Sequence, residues 1–145
     1  MASILDGLSV GDVVAEKEFS LSRDSLVRYA GASGDFNPIH YRDDVAQSVG
    51  LPGVLAHGML TMGIAGSVVT DWCGSDLVVT SYQVRFTKPV LVDPADGATL
   101  AVVATVGNVD LGDTAPEGSI RIDLTVSSHT GEKVLGKAQM VVSPR

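Results

Sequence analysis

The sequence predicts an α+β fold in which a curved antiparallel sheet wraps around one long helix. Residues 57–72 are apolar around nearly the whole circumference of a helix, and such a helix must be buried on all sides. The chain after Asp76 has instead the pattern of several strands separated by turns. One long buried helix combined with four or five antiparallel strands is typical of a layered α+β domain.

The first third of the chain is predicted to contain one short strand and two helices. We expect a strand over residues 13–19, and a helix that begins after the N-cap Ser22 and ends at Gly31 and Gly34. The apolar residues of this helix fall at helical spacing on one face: Leu26, Val27, Tyr29 and Ala30. A second, short helix is expected over residues 43–49.

The long helix over residues 57–72 contains glycines at positions 58, 63 and 66. Each glycine costs roughly 1 kcal/mol of helix stability relative to alanine. That cost is understandable where another backbone or a ligand must approach the helix closely. A sheet covers only part of a helix that is apolar all round. The remaining face of the helix and a free edge of the sheet therefore require a second subunit. We therefore expect an obligate dimer.

The second half of the chain is predicted to form four strands. They are expected near residues 77–87, 98–108, 117–129 and 132–142. The alternation is clearest where every second residue is apolar, at Ile120, Ile122, Leu124 and Val126. Apolar and polar side chains then lie on opposite faces of that strand. We expect residues 1–145 to form a single domain.

Composition and charge narrow the possible functions. The chain has 10 Lys and Arg against 17 Asp and Glu, and its formal net charge of −7 repels nucleic acid and anionic membranes. The one cysteine, Cys73, cannot form an internal disulfide, and no Cys or His spacing indicates a metal site. Residues 1–10 lack the features of a secretory signal. We expect a soluble, cytoplasmic protein with no metal, no cofactor, and no nucleic-acid or membrane partner.

Two short motifs carry the candidate chemistry. The first reads YAGASGDFNPIH over residues 29–40, and the second reads AHGM over residues 56–59. Asp35 and His40 stand on either side of a proline-containing turn, which can aim both side chains at one water. In the second motif, Gly58 begins the long helix, where backbone N–H groups are unpaired and the helix dipole is positive. Glycine lets an acceptor oxygen approach such an N–H without a Cβ in the way.

These motifs closely resemble the signature of the MaoC-like dehydratases of the hot-dog fold, also called (R)-specific enoyl-CoA hydratases. The matching residues are Tyr29, Ala30, Ser33, Gly34, Asp35, Asn37, Pro38, Ile39, His40, Ala46, Gly50, Ala56, His57, Gly58, Met59 and Leu60. Residues 82–90 resemble the first long strand of that family, and the resemblance covers most of the chain. Within the family, the chain looks most similar to the catalytic B-type subunit of the (3R)-hydroxyacyl-ACP dehydratases of type II fatty-acid synthesis.

The resemblance implies a lyase that interconverts (3R)-3-hydroxyacyl and trans-2-enoyl thioesters of CoA or acyl-carrier protein. Asp35 and His40 would orient and activate water, and the resemblance leaves open which of them carries the transferred proton. The amide of Gly58 would form the oxyanion hole. The family also implies a homodimer, or a heterodimer with a related hot-dog subunit, and no cofactor.

Four further residues are expected near the substrate: Ser33, Asn37, His57 and Met59. The first two would hold the turn or the carboxylate by local hydrogen bonds. His57 either touches substrate or packs at the start of the helix, and Met59 lines the acyl pocket or the core. Arg85 and Lys88 either reach a phosphate of the thioester carrier or form the solvated face of a strand.

Two alternative functions compete with the lyase. Many thioester hydrolases of the hot-dog fold present a carboxylate from the central helix, but no Asp or Glu occurs from Ala56 through Thr70. The chain could also be a non-catalytic subunit that shapes the acyl pocket of a dimer. The presence of both Asp35 and His40 argues for the working subunit.

Overall fold

The computed structural model of the protein describes residues 3–145. Its helices and strands follow one another as β1 (Val13–Leu21), α1 (Arg23–Ser33), α2 (Asp43–Ser48), α3 (Gly58–Cys73), β2 (Leu77–Phe86), β3 (Ala98–Asn108), β4 (Ile120–Ser128) and β5 (Leu135–Pro144). Short 3₁₀ helices span Pro38–His40 and Gly112–Thr114. None of the helices formed by residues 3–145 has the length and apolarity needed to cross a membrane.

The five strands form one antiparallel sheet in the order β1-β3-β4-β5-β2. The edges of the sheet are β1 and β2. The helix α3 contacts all five strands, because the twisted sheet curves around it. The predicted α+β arrangement of an antiparallel sheet around one long helix is therefore confirmed.

The predicted boundaries agree closely with these elements, and the largest differences lie at the starts of β4 and β5. Both strands begin three residues later than the sequence indicates, at Ile120 and Leu135. The turn at Gly131 is closed by its N–H donating to the carbonyl of Ser128, and Ser128 in turn donates to the carbonyl of Glu132. These bonds engage residues 128–132 in the turn, so the regular part of β5 starts beyond it.

The helix α1 begins and ends where its capping residues predict. The Ser22 side chain accepts from the N–H of Ser25, and the Ser25 hydroxyl accepts from the N–H of Ser22, which completes a capping box. The helix passes through Gly31 and ends at Gly34, whose φ of +77° suits glycine. Leu26 and Ala30 are buried as predicted. The expectation that Val27 shares this buried face is wrong, because Val27 is 61% exposed.

The helix α3 buries only one side within this chain. Its inner side faces the sheet and contributes the buried residues Thr61, Ala65, Gly66, Val68, Val69 and Cys73. Its outer side is open, with Met59 58% exposed and Gly63 and Thr70 also exposed. The open outer side agrees with the expectation that the sheet covers only part of α3, and the covering of that side by a second subunit stays a prediction.

Two aromatic side chains of β2 lie directly on glycines of α3. A Cβ at Gly58 would stand 3.0 Å from the ring of Phe86, and one at Gly66 would stand 2.9 Å from the ring of Tyr82. The spacing of the two rings along β2 matches the spacing of the two glycines along α3, because four strand residues cover about 13 Å and eight helical residues about 12 Å. The Tyr82 hydroxyl donates to the carbonyl of Met62 at 2.6 Å, and burial raises the pKa of Tyr82 to about 12, so the phenol stays a donor. These contacts set the position of α3 along β2.

Candidate active site

The loop after α1 holds Asp35 through a series of local hydrogen bonds. The N–H of Asp35 donates to the hydroxyl of Ser33 at 3.1 Å, and the Asp35 carboxylate accepts from the N–H of Asn37 at 3.1 Å. The Asn37 side chain then accepts from the N–H of Ile39 at 3.2 Å. Short polar side chains bond readily to nearby backbone in this way. The second carboxylate oxygen of Asp35, Oδ2, is left to face His40.

His40 is positioned by the 3₁₀ helix Pro38–His40 and by a bond to the segment before α3. Its Nδ1 lies 2.8 Å from the carbonyl oxygen of Leu55. Since a carbonyl oxygen only accepts, Nδ1 carries the proton and Nε2 presents a lone pair when the ring is neutral. Nε2 stands 4.0 Å from Oδ2 of Asp35. This distance is too long for a hydrogen bond, and it lets both groups contact one small polar molecule.

His57 lies behind these two residues and touches both. Its Nε2 lies 3.1 Å from the backbone carbonyl oxygen of Asp35, so Nε2 is the protonated nitrogen. Its ring stacks on that of His40, with centroids 3.8 Å apart and planes inclined by 23°. The edge of Tyr29 contacts its other side at a centroid distance of 4.7 Å. His57 is 1% exposed, and its Nδ1 has no hydrogen-bond partner among residues 3–145.

Asp35, His40 and His57 each offer a potential metal-ligand atom, and these atoms lie within 4.8 Å of one another. Imidazole lone pairs lie in the ring plane, and the two stacked rings hold their lone pairs in nearly parallel planes. Lone pairs arranged in this way do not converge on one ion. Each ring also uses one nitrogen on a backbone carbonyl. The geometry therefore suits proton transfer and hydrogen bonding better than chelation.

Gly58 is the first residue of α3, and its N-cap, His57, makes no side-chain capping bond in the described chain. The first N–H groups of a helix have no intrahelical partner and lie at the positive end of the helix dipole. The structure adds a second constraint at this position. A Cβ here would meet the ring of Phe86 at 3.0 Å, so a larger residue would press against that ring. The close packing of Phe86 was not predicted from the sequence.

A cavity of about 290 Å³ lies between the start of α3 and the end of β2. Six of the residues that line it are His40, Gly58, Thr61, Phe86, Val90 and Leu135. Two predicted catalytic residues thus share one cavity, with Asp35 beside His40. The four other predicted residues, Ser33, Asn37, His57 and Met59, do not line it.

The cavity also shows which residues the sequence did not reveal. Thr61 lies one helical turn after Gly58, and Phe86 shares a strand face with Tyr82, but neither spacing alone identifies a site. Lys88 lines the cavity with an exposed side chain and stands 3.9 Å from Glu132. Arg85 is exposed and does not line it.

A larger groove of about 630 Å³ lies elsewhere and contains none of the motif residues. In it, Arg23 donates to the carbonyl of Val92 at 2.5 Å and pairs with Asp43 at 3.0 Å. Hydrogen bonds from Arg23 and from the N–H of Val54 hold the pKa of Asp43 below its ordinary value. These groups tie α1 and α2 together. The smaller cavity is the candidate active site, because it has both a proton acceptor and a free helix amide.

Comparison with known proteins adds the family. The family model described as "MaoC like domain" matches residues 9–127. The chain is 28% identical over 128 residues to an (R)-specific enoyl-CoA hydratase from Rhodospirillum rubrum, covering 87% of this chain and 83% of that protein. It is 40% identical over 74 residues to 3-hydroxyacyl-thioester dehydratase X from Mycobacterium tuberculosis, covering 51% of this chain and 25% of that protein.

A solved MaoC-like dehydratase shares the fold, with a TM-score of 0.83 and 37% identity, and the match covers 95% of this chain and 41% of that one. The chain thus spans most of the hydratase but less than half of this structure and a quarter of dehydratase X. The family match includes both motifs, α3 and the sheet as far as β4. The chain therefore belongs to the MaoC-like domain family.

Proposed function

We propose that the protein catalyses the reversible dehydration of (3R)-3-hydroxyacyl thioesters to trans-2-enoyl thioesters. The observation that carries this proposal is that His40 and Gly58 line one cavity, with the Asp35 carboxylate 4.0 Å from His40. A proton acceptor, a carboxylate and a helix amide are the groups that addition of water to an enoyl thioester requires. The names of the two relatives, a hydratase and a thioester dehydratase, support the same reaction class.

In hydration, a water loses a proton while its oxygen forms a bond to C3. Because Nδ1 of His40 is used on Leu55, Nε2 is the nitrogen that accepts this proton, and Asp35 orients the water beside it. The C2=C3 π electrons move toward the thioester carbonyl, and C2 then takes a proton from the Asp35–His40 pair. The product gains hydroxyl at C3 and hydrogen at C2, and dehydration reverses each step.

The negative charge that develops on the thioester oxygen needs a donor. The amide end of α3 at Gly58 lies at the cavity wall, where one preorganised donor contributes about 2.7–4 kcal/mol to transition-state stabilisation. The aromatic ring of Phe86 packs against this position. We infer that Gly58 supplies the oxyanion hole through its backbone N–H.

The substrate is an acyl thioester of CoA or acyl-carrier protein. The cavity volume of about 290 Å³ is just below the ~300–1,000 Å³ that is usual for ligand sites. The exposed Lys88 at the cavity is suited to a carrier phosphate. Because both Asp35 and His40 are present, we infer that this chain is a catalytic subunit, and its overall similarity to the B-type subunits favours that type.

We infer that a second subunit, either an identical copy or a related hot-dog chain, covers the open side of α3. Met59 on this helix is 58% exposed, and Phe86 at the end of the edge strand β2 is 55% exposed. Apolar side chains of this size next to a free sheet edge are typical of an association surface.

A thioesterase is the competing enzyme class. The one carboxylate of α3 is Asp71, which is exposed and lies about 20 Å along the helix from Gly58. A carboxylate at that distance does not reach the cavity that contains His40. The structure thus offers no helix carboxylate for hydrolysis within residues 58–70.

Substitution of the two catalytic residues tests the proposal. Asp35→Asn and His40→Gln should each lower kcat/KM for crotonyl-CoA hydration by roughly 10²–10⁴-fold, because each removes one partner of the proton transfer. Exposed counterparts, Asp24→Asn and His129→Gln, are the controls and should keep wild-type turnover. Near-normal turnover of both site variants, with an unchanged circular dichroism spectrum, would show that the site is assigned wrongly.

A further inference from the structure

We propose that His57 is a positioning residue, which fixes the geometry of Asp35 and His40 without touching the substrate. Its kinetic consequences rest on the function proposed above. Three elements meet at this side chain: the loop that carries Asp35, the 3₁₀ helix that carries His40, and the start of α3. A residue that joins all three can set the distance between the two catalytic groups.

The contact with Asp35 fixes the loop from behind. The Nε2–H of His57 donates to the backbone carbonyl of Asp35 at 3.1 Å. The carboxylate of Asp35 is about half exposed, and the bonds to its own loop are local. Among the described residues, His57 is the one residue distant in sequence that forms a hydrogen bond with Asp35. This bond therefore ties the loop to the start of α3.

The contact with His40 fixes the plane of the catalytic ring. The bond from His40 Nδ1 to Leu55 restricts the turn of the ring about its Cβ–Cγ bond on one edge. The flat face of His57, stacked at 3.8 Å, supports the ring from its face and keeps Nε2 directed at Asp35. The edge of Tyr29 holds His57 from its other side.

His57 is placed to act through other residues. It is 1% exposed and does not line the cavity, so it makes no contact with a bound thioester. Its Nδ1 is a buried acceptor without a donor among the described residues, which carries a free-energy penalty. Packing alone would be satisfied by a side chain with no such acceptor, so the Nε2 donor and the flat ring are what the site uses.

The arrangement requires two stacked histidines in opposite tautomers. His40 carries its proton on Nδ1, for Leu55, and His57 carries its proton on Nε2, for Asp35. The tautomers keep the lone pair of His40 at Nε2, where the reaction needs it. If His40 were instead protonated at Nε2, the carbonyl of Leu55 would lose its donor.

A pair of substitutions separates the donor from the ring. His57→Phe keeps a flat ring against His40 and removes the donor, whereas His57→Gln keeps an N–H near the position of Nε2. We expect His57→Phe to lower kcat by about 100-fold, since small displacements of catalytic groups have effects of that size. KM should stay within about threefold, and His57→Gln should recover at least about tenfold in kcat. The exposed His129→Phe is the matched control and should leave kcat and KM unchanged.

The separate effects of His57→Phe on kcat and on KM distinguish positioning from other roles. A raised KM with unchanged kcat would show that His57 contacts the substrate, and the proposal would be wrong. A lower melting temperature with unchanged kcat would show a purely structural role, and the proposal would again be wrong. If His57→Phe does not fold, the histidine spectra of the wild type and of His57→Gln decide between positioning and a purely structural role.

Nuclear magnetic resonance tests the arrangement independently of activity. The chain has 3 histidines, so a long-range ¹H–¹⁵N spectrum of ¹⁵N-labelled protein resolves each ring. At pH 8 we expect the Nδ1–H tautomer for His40 and the Nε2–H tautomer for His57, and a shift of the His40 signals in His57→Gln. Identical tautomers, or unshifted His40 signals, would overturn the positioning role. These tautomers in a protein that converts no thioester would count against the proposed function alone.

Discussion

The chemistry of individual atoms decides the roles at this site. Asp35 is held by bonds that span two residues each, and such local bonds follow from the order of polar residues in the turn. The role of His57 depends on a carbonyl 22 residues earlier in the chain, and no local pattern encodes that contact. The glycine at the start of α3 was predicted to let an oxygen approach the helix amide, and its contact with the ring of Phe86 is a further feature that the sequence did not reveal.

A double-mutant cycle tests the packing of Phe86 on Gly58. Gly58→Ala should lower kcat/KM, because its Cβ would stand 3.0 Å from the ring and must displace it from the cavity wall. Phe86→Ala in the same chain removes that ring and should recover part of the loss, with a coupling energy of at least about 0.5 kcal/mol. Strictly additive effects of the two substitutions on kcat/KM would mean that the glycine serves another purpose.

At the scale of helices and strands, regular patterns were predictable and close approaches were not. The alternation in β4 and the cap at Ser22 depend on residues next to one another in sequence, and both agree with the structure. The late start of β5 depends on how the turn at Gly131 closes, which the order of residues does not specify. The match of α3 with β2 depends on rings and glycines that are distant in sequence.

The contact of Tyr82 with Gly66 should appear as a loss of stability on substitution. Gly66→Ala places a Cβ 2.9 Å from the Tyr82 ring in a buried position, and we expect a loss of about 1–3 kcal/mol in unfolding free energy. The control is Gly31→Ala, in the last turn of α1, where no atom of residues 3–145 lies within 4 Å of the added Cβ. That variant should gain roughly 0.5–1 kcal/mol from helix propensity. Equal changes in the unfolding free energy of Gly66→Ala and Gly31→Ala, measured by urea denaturation, would contradict the packing argument.

The ion pair between Arg23 of α1 and Asp43 of α2 makes the free energy of unfolding depend on pH. Arg23 and the N–H of Val54 lower the pKa of Asp43 in the folded protein, so the unfolded chain binds the proton more tightly. This contribution to stability is present above the unfolded pKa of about 3.9 and is lost as the pH falls through the folded pKa. Asp43→Asn should therefore be less stable at pH 7 and approach the wild type at the lowest pH.

Asp44→Asn is the control for that comparison. Asp44 pairs with Arg42, two residues away on the same exposed surface, and this pair connects no separate elements. Its substitution should have the smaller effect on the melting temperature at pH 7. An Asp43→Asn curve that runs parallel to the wild type from pH 7 to acid would show that the Asp43 carboxylate does not contribute.

For the whole molecule, the sheet and helix were predictable because one segment is apolar all round and the rest alternates. The same all-round pattern led us to expect that the sheet covers only part of α3, and in the structure the sheet covers one side. The identity of whatever covers the other side depends on residues of another chain, so it does not follow from the pattern of this one. The proposed second subunit accounts for the apolar residues that remain exposed.

A charge on the open side of α3 tests that association. Gly63 is exposed, and no atom of residues 3–145 lies within 4 Å of a Cβ added there, so the single chain tolerates Gly63→Glu. We expect the wild type to be a dimer by light scattering and Gly63→Glu to shift it toward monomer, because burying an unpaired carboxylate is unfavourable. A variant that stays dimeric at the same concentrations would place the interface elsewhere.

The stereochemistry of hydration tests the central claim most directly. The purified protein, alone and with a related hot-dog subunit, is incubated with trans-2-enoyl-CoA esters while the conjugated-thioester absorbance is followed. The products are then separated by chirality and assayed for free thiol. The account predicts loss of the absorbance with formation of the (3R)-3-hydroxyacyl thioester and no release of CoA. Formation of the (3S) product, or release of CoA without a hydroxyacyl thioester, would contradict it.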